Sequence, residues 1–242
     1  MNLCDLHTHI LYGVDDGSHS LDYSLKMLRN AYASSVRTLV ATPHYHILDN
    51  LEDNLNRNRV LKERFLQFKR EASNISVDLL LGAEVRFSDN LIDMLRREAV
   101  PTINGSKYLL IEFLPEEGAQ TISDALKSIT ECGIVPIVAH PERYISVCKN
   151  PMSVIEWLDM GCHLQLTGES VIGEYGRSIR DTANILLKND LVVCIASDAH
   201  GVNRRTNYLL DVFDYLSVYY SKAYARCLMR DNPMRICYDE NL

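Results

Sequence analysis

No apolar run in the 242-residue chain approaches the roughly 20 residues that span a bilayer; Leu191 to Ala196 and Ile134 to Ala139 are among the longest. No membrane insertion is therefore expected. The opening Met1-Asn2-Leu3-Cys4-Asp5 has neither a basic segment nor a long apolar stretch, so no secretory leader is expected and the cytoplasm is the expected compartment. The seven cysteines are odd in number and form no C-x-x-C pair, which argues against a disulfide framework and a zinc ribbon and leaves them as small core residues. None begins a C-x-x-x-x-x-R loop, so phosphate chemistry through a phosphocysteine is disfavoured. There is no G-x-G-x-x-G and no Walker A motif. A formal charge of −7 argues against a broad nucleic-acid face, while leaving room for a local basic pocket.

What is present is a sustained alternation of short apolar, β-rich runs with amphipathic helical stretches, in a chain that is 47% hydrophobic. Seven strands are expected, over residues 2–6, 37–42, 77–84, 108–113, 134–139, 162–167 and 191–197. Between them, Leu21, Leu25, Leu28 and Tyr32, then Leu61, Phe65 and Phe68, then Ile122, Leu126 and Ile129 recur at helical spacing. Gly133 and Gly161 suit helix stops, and Pro151 suits a first turn. Near-continuous apolar strands such as Ile134-Val135-Pro136-Ile137-Val138-Ala139 belong in a parallel sheet covered by helices. A repeated β-α order gives either a doubly wound sheet or a barrel, and the missing nucleotide motifs favour the barrel. No linker or low-complexity stretch interrupts the run, so residues 1–242 are read as a single α/β domain.

The potential ligands fall at the ends of these strands. His7 and His9 follow the first strand, and His44 and His46 follow the second. Glu84 closes the third, Glu112 the fourth and His140 the fifth, while Asp198 and His200 end the seventh. In a β/α barrel all these positions converge on the rim where active sites form. Any one of them alone reads as an ordinary polar strand ending; six of seven strands delivering such residues to one face read as a metal site. Mixed imidazole and carboxylate donors suit Mn, Fe or Zn rather than calcium. Several carboxylates can bridge neighbouring ions, and Glu84 is the best candidate bridge. Asp15-Asp16-Gly17-Ser18 reads as a turn feeding a helix, compatible with a further ligand from Asp16. Arg143, three residues after His140, and Arg204-Arg205, soon after His200, offer planar cations for phosphate oxygens.

Asp5-x-His7-x-His9, His44, Glu84, His140 and Ser197-Asp198-Ala199-His200 resemble the polymerase and histidinol phosphatase (PHP) superfamily. Within it, Gly13-Val14-Asp15-Asp16-Gly17-Ser18, Ala41-Thr42-Pro43-His44-Tyr45, Ile111-Glu112-Phe113 and Ala139-His140-Pro141-Glu142-Arg143-Tyr144 look like the protein-tyrosine phosphatases of bacterial capsule and exopolysaccharide clusters. The resemblance covers essentially the whole chain. It implies a distorted (β/α)7 TIM-like barrel with a three-ion site, commonly manganese-activated. One ion would take His7, His9, Glu84 and Asp198, a second Glu84, Glu112 and His140, and a third Asp16, His44 and His200. Arg143 and one of Arg204 or Arg205, with spacing favouring Arg205, would hold phosphate, and Asp5 would orient a histidine from behind. The implied reaction is in-line attack by metal-activated hydroxide, without a phosphoenzyme, on phosphotyrosine of a tyrosine autokinase; a homo-oligomer is also implied. Tyr45 and Tyr144 could stack on an aromatic substrate or simply pack the rim. A histidinol-phosphate or other small-molecule phosphomonoesterase would use the same superfamily site. A nuclease is disfavoured by the acidic chain, and a catalytically silent metal-binding scaffold by the intact ligand set.

Overall fold

The computed structural model describes residues 1–242. Nine short strands, all paired in parallel, alternate with helices: β1 Leu3–Thr8, β2 Val36–Ala41, β3 His44–His46, β4 Asp78–Leu81, β5 Glu84–Arg86, β6 Tyr108–Glu112, β7 Val135–Ala139, β8 His163–Thr167 and β9 Cys194–Ala196. They form one sheet of order β1-β2-β4 and another of order β3-β5-β6-β7-β8-β9.

Seven expected strands become nine because short strands restart beyond the expected end of the second, at His44, and at the expected end of the third, at Glu84. Pro43 has no N–H to give a ladder, so the second strand is interrupted between β2 and β3. Its partner breaks at the same level, at Gly82-Ala83, between β4 and β5. Pairing continues across the paired kink, with Gly82 N–H donating to Ala41 O at 2.8 Å and Glu84 N–H to Pro43 O at 3.1 Å. β1 and β9 share no ladder. Their seam is joined beyond the strand ends by the Thr8–Ala199 bridge, by Asp198 N–H to His7 O at 2.9 Å and by His9 N–H to Ala199 O at 2.9 Å. The architecture is thus a distorted (β/α)7 barrel, opened and bent where the polar residues gather.

Strand alternation divides the core. Cys4, Leu6, Leu110, Ile137, Ala139 and Cys194 point into the barrel, where Ile236 and Cys237 of the C-terminal helix Asn232–Cys237 join them. Leu109, Ile111, Val138, Leu164, Leu166 and Ile195 face outward against the helices in a second, larger cluster. Leu61, Phe65 and Phe68 lie buried along the helix Leu51–Glu71, and Ile122, Leu126 and Ile129 along Ala119–Thr130, at the spacing the sequence sets. In the first helix, Leu21–Ala33, the buried stripe is instead Ser24, Met27, Leu28 and Ala31. Tyr32 lies outside that stripe, and the Arg37 guanidinium covers its ring 3.9 Å from the centroid. Gly133 and Gly161 follow their helices with φ of +78° and +86°, the left-handed turn that glycine makes without cost. All seven cysteines are free thiols. No helix is long and apolar enough to cross a membrane.

Phe68 is fully buried between its helix and the sheet. Phe68→Ala should destabilise the protein by about 3–5 kcal/mol, the usual cost of emptying an aromatic core site. Chemical denaturation followed by far-UV circular dichroism measures it.

Candidate metal centre

The split strands place the polar residues. His44 opens β3 and Glu84 opens β5, and the two are register partners across a parallel ladder. That is why His44 Nδ1 lies 2.9 Å from Glu84 Oε2. Glu112 ends β6 opposite Arg86 of β5, whose Nε and Nη2 approach Glu112 Oε1 at 3.1 and 3.0 Å. His140 and Asp198 leave β7 and β9 in left-handed conformations, φ +37° and +52°. Such backbone is costly for residues other than glycine and turns both side chains inward.

Glu84 is the centre of the cluster. It is fully buried, and four imidazoles surround its carboxylate. His140 Nε2 and His7 Nε2 stand 2.8 and 3.4 Å from Oε1, while His44 Nδ1 and His9 Nε2 stand 2.9 and 3.3 Å from Oε2. Glu112 Oε1 lies 3.2 Å from His44 Nδ1. On the solvent side, Asp16 Oδ1 is 3.4 Å from both His44 Nε2 and His200 Nε2. Three groups of donor atoms result: His7, His9 and Asp198; His44, Glu84 and Glu112; and His9, Asp16, His44 and His200. All nine residues expected as ligands converge here. The grouping differs from expectation: Glu84 stands outside the His7, His9 and Asp198 group, His44 takes the place of His140 beside Glu84 and Glu112, and His9 joins Asp16, His44 and His200.

Hydrogen bonding behind the cluster fixes which nitrogens face inward. Gln165 Oε1 accepts from His7 Nδ1–H at 2.8 Å, and Asp15 Oδ2 accepts from His9 Nδ1–H at 2.7 Å. Each ring then turns its Nε2 inward, and these two nitrogens are only 3.1 Å apart. Two lone pairs at that distance repel unless a cation lies between or beside them. His44 Nδ1, Glu84 Oε2, His140 Nδ1 and His200 Nε2 are buried without a geometrically acceptable hydrogen-bond partner. Orphaned nitrogen and oxygen donors converging at non-hydrogen-bonding angles are what bound divalent ions satisfy. The residues fit metal ions.

The electrostatics agree. Burial resists ionisation of Glu84, yet His7, His140 and His44 hold its pKa well below the carboxylate range. Burial also opposes charge on His9, but Asp15, Asp198 and Glu84 raise its pKa well above the usual imidazole value. His200 is driven the other way, to about 3, by burial and by His9, so it offers a lone pair rather than a proton.

Sequence reasoning missed the residues that do the holding. Asp15 accepts from His9, from the His44 backbone N–H at 3.0 Å and from Gly17 N–H at 3.0 Å, tying three parts of the site together. Gln165 sits mid-strand on β8 with no motif around it. Asp5 does not orient a histidine: it accepts from Ser197 N–H at 2.9 Å, Ser197 Oγ–H at 2.7 Å and Asn207 Nδ2–H at 3.2 Å. It therefore anchors the loop that carries Asp198. Tyr45 and Tyr144 are buried and pack the rim, Tyr144 donating to Ala139 O at 2.9 Å, so neither can stack on a substrate.

The two basic loops are also separated. Arg143 Nη1 reaches Asp198 Oδ2 at 2.8 Å and Nη2 donates to Thr167 Oγ1 at 2.8 Å. Arg205 Nη2 lies 2.9 Å from both Asp198 oxygens. Arg204 is exposed and lines the neighbouring cleft with Arg205. The Nε of Arg143 and of Arg205 are both buried and unpartnered, two donors still open beside the metal-fitting cavity.

Asp15→Asn keeps the side chain's shape but weakens its hold on the His9 tautomer. It should lower divalent-ion affinity about 10- to 100-fold, measured by titration calorimetry with Mn²⁺, with the far-UV circular dichroism of the apo protein unchanged.

Comparison with known proteins points the same way. The chain is 33% identical to the tyrosine-protein phosphatase CpsB of Streptococcus pneumoniae, over 98% of this chain and 99% of that protein. It is 31% identical to the putative tyrosine-protein phosphatase CapC of Staphylococcus aureus, over 91% and 86%. Its fold superposes with a TM-score of 0.89, at 24% identity and covering 100% and 96% of the two chains, on a structure solved in work on YwqE from Bacillus subtilis and CpsB from S. pneumoniae, described as unique metal-dependent tyrosine phosphatases. A phosphotriesterase homology protein from Escherichia coli, complexed with phosphate in its active site, shares the fold more distantly, with a TM-score of 0.60 at 13% identity and 97% of each chain. Residues 3–238 match the family described as capsular polysaccharide synthesis, CpsB/CapC, and the chain belongs to that family.

Proposed function

We propose that this chain is a metal-dependent protein-tyrosine phosphatase that hydrolyses phosphotyrosine on a cognate tyrosine autokinase controlling capsule or exopolysaccharide synthesis. The observation that carries the reading is the juxtaposition of two half-buried, partly hydrogen-bonded arginines with a cluster of inward-facing imidazole and carboxylate atoms. Relatives that match along nearly the whole chain are named tyrosine-protein phosphatases.

Three ions are proposed. His7, His9, Glu84 and Asp198 would hold one, Glu84, Glu112 and His140 a second, and Asp16, His44 and His200 the third. The central place of Glu84 supports its role as a bridge, and the absence of thiolate among the donors favours manganese over softer choices, with Fe or Zn as alternatives. When bound, divalent ions there supply Lewis acidity that activates water and neutralises phosphoryl charge.

The chain's own groups do the rest. Arg143 and Arg205 bind and orient the phosphoryl oxygens, each using the planar fork that suits a tetrahedral oxyanion. Thr167 and Asp198 hold the Arg143 guanidinium in place, and Asp198 holds Arg205. Gln165 and Asp15 keep the His7 and His9 nitrogens turned inward. Cys162 and Cys194 provide no nucleophile: burial pushes Cys162 up to about 12 and Cys194 higher still, so these thiols stay protonated. A phenolate leaving group, with a conjugate-acid pKa of about 10, departs more readily than an alkoxide. Phosphotyrosine therefore asks less protonation of the enzyme than phosphoserine does.

Arg143→Ala and Arg205→Ala should each lower kcat/KM for a phosphotyrosyl peptide by about 100-fold or more, as loss of a fixed charge stabiliser does. Arg204→Ala should stay within about twofold, since isolated exposed charges contribute little. Steady-state turnover with metal analysis of each variant measures both. Chelation of divalent ions should abolish turnover and Mn²⁺ should restore it. Full activity after chelation, or a large preference for histidinol phosphate over the phosphopeptide, would overturn the reading.

A further inference from the structure

Tyr175 stands against the phosphate-binding arginines, yet it lies on none of the loops that carry the metal-fitting residues. It follows the short helix Gly168–Ile172 and precedes the helix Arg177–Lys188. Gly173 and Gly176 flank it with φ of +95° and +92°. Side chains rarely adopt that backbone, so the Gly-Glu-Tyr-Gly turn that carries Tyr175 depends on its two glycines. The Arg143 guanidinium lies 4.4 Å from the Tyr175 ring centroid, within stacking range. The ring therefore backs the same guanidinium that Thr167 and Asp198 hold by hydrogen bonds.

Beyond Arg143 the ring borders a cleft of about 450 Å³ that also reaches Arg205. Gly168, Ile172, Leu209 and Val212 line its apolar side. A Cβ on Gly168 would stand 2.9 Å from Val212 Cγ2, so this wall is packed tight and any larger residue would fill the space. Glu169, Glu174 and Asp211 line the polar part of the same cleft; its apolar wall, with Arg205 at one edge and the Tyr175 ring at another, accepts a flat apolar group carrying a phosphate. Tyr45 and Tyr144 are sealed in the rim; Tyr175 and Tyr208 border the cleft, and of the two it is the Tyr175 ring that lies against Arg143.

We propose that Tyr175 is a specificity-determining residue, whose ring flattens Arg143 for the phosphate and walls the slot that receives the phenyl ring of an aryl phosphomonoester. The inference rests on the phosphatase reading and adds to it the basis for choosing aryl over alkyl phosphates. The choice comes from packing as well as from leaving-group chemistry, and the two are separable. Intrinsic leaving-group reactivity is the same for every variant, so it cancels when the aryl-to-alkyl ratio of one variant is divided by that of another.

The test compares wild type, Tyr175→Leu and Tyr175→Phe, all loaded with Mn²⁺, on phosphotyrosyl and phosphoseryl peptides of the same sequence. Tyr175→Leu should lower the aryl-to-alkyl ratio of kcat/KM by roughly three- to tenfold, the size of one lost aromatic pair. Tyr175→Phe should restore it. A second readout is independent of turnover: affinity for the peptide carrying phosphonomethyl-phenylalanine should fall by a similar factor in Tyr175→Leu and recover in Tyr175→Phe. Metal content and thermal midpoint should match wild type in both variants. An unchanged ratio and unchanged peptide affinity in Tyr175→Leu would overturn the role of Tyr175 while leaving the phosphatase reading intact. A wild-type protein that cleaves neither peptide and does not bind the phosphonate would overturn both.

Discussion

A carboxylate with no access to solvent has to be compensated where it stands, and Glu84 is such a carboxylate, set among four imidazoles at the mouth of the barrel. Desolvation alone would drive it to take up a proton; the surrounding rings reverse that and keep it ionised. The second nitrogens of His7 and His9 are already committed to Gln165 and Asp15, so the inward nitrogens cannot rotate away to find other partners. Positive charge must enter the cluster, as protons or as metal ions. The rest of the site follows from that demand: rigid outer hydrogen bonds, tight backbone at His140 and Asp198, and arginines close at hand.

The barrel meets the demand by being imperfect. A regular strand running from Val36 to His46 would carry its ladder straight past the rim, but Pro43 and Gly82 bend two neighbouring strands at one level. The short strands that restart beyond the kink begin with His44 and Glu84 in register, and the neighbouring ladder sets Arg86 against Glu112. The unpaired seam between β1 and β9 serves a similar end. There the two segments meet through backbone hydrogen bonds at His7, His9, Asp198 and Ala199, so the stretch that joins the barrel is the stretch that carries the ligands. Asp5, buried just inside, ties Ser197 down and fixes the approach.

Much of this was legible in the sequence because ligand residues at strand ends announce themselves: each follows an apolar run, and each lies at the same end of its strand. The α/β order, the helix face of Ile122, Leu126 and Ile129 and the convergent residues other than Asp16 are local readings of that kind, whereas Asp16 lies in a turn and is singled out by the family resemblance. The supports were not legible, because they depend on distance in the chain. Gln165 is 158 residues from His7, and Ser197 is 192 from Asp5; no periodicity or spacing links them before the barrel closes. The broken strands were hidden for a different reason. A three-residue strand is too short to show alternation, so β3 goes unread beyond the second strand and β5 shows only as Glu84 at the end of the third. Tyr45 stands next to a ligand in sequence, and strand alternation sends it to the opposite side from His44. Choosing between Arg204 and Arg205 needed the backbone, since Arg205 takes a left-handed conformation, φ +48°, that turns its side chain back onto Asp198.

Asp198 joins the two halves of the site. Its Oδ1 lies 3.6 Å from His7 Nε2 and 3.5 Å from His9 Nε2, and its Oδ2 takes Arg143 at 2.8 Å, while Arg205 spans both oxygens. Burial works against its charge, but His7, His9 and the two arginines hold its pKa well below the ordinary range, so it remains an anion able to align all four. One carboxylate thus fixes the position of the metal-fitting imidazoles relative to the guanidinium forks. In-line chemistry at phosphorus depends on that relation, because the phosphoryl group has to be held at a set distance and angle from the attacking water. On the proposed reading, a net negative chain would accept a dianionic phosphoryl group through positive charge that is small in amount but held at one place and in one orientation by the same residue that helps to build the cluster beside it.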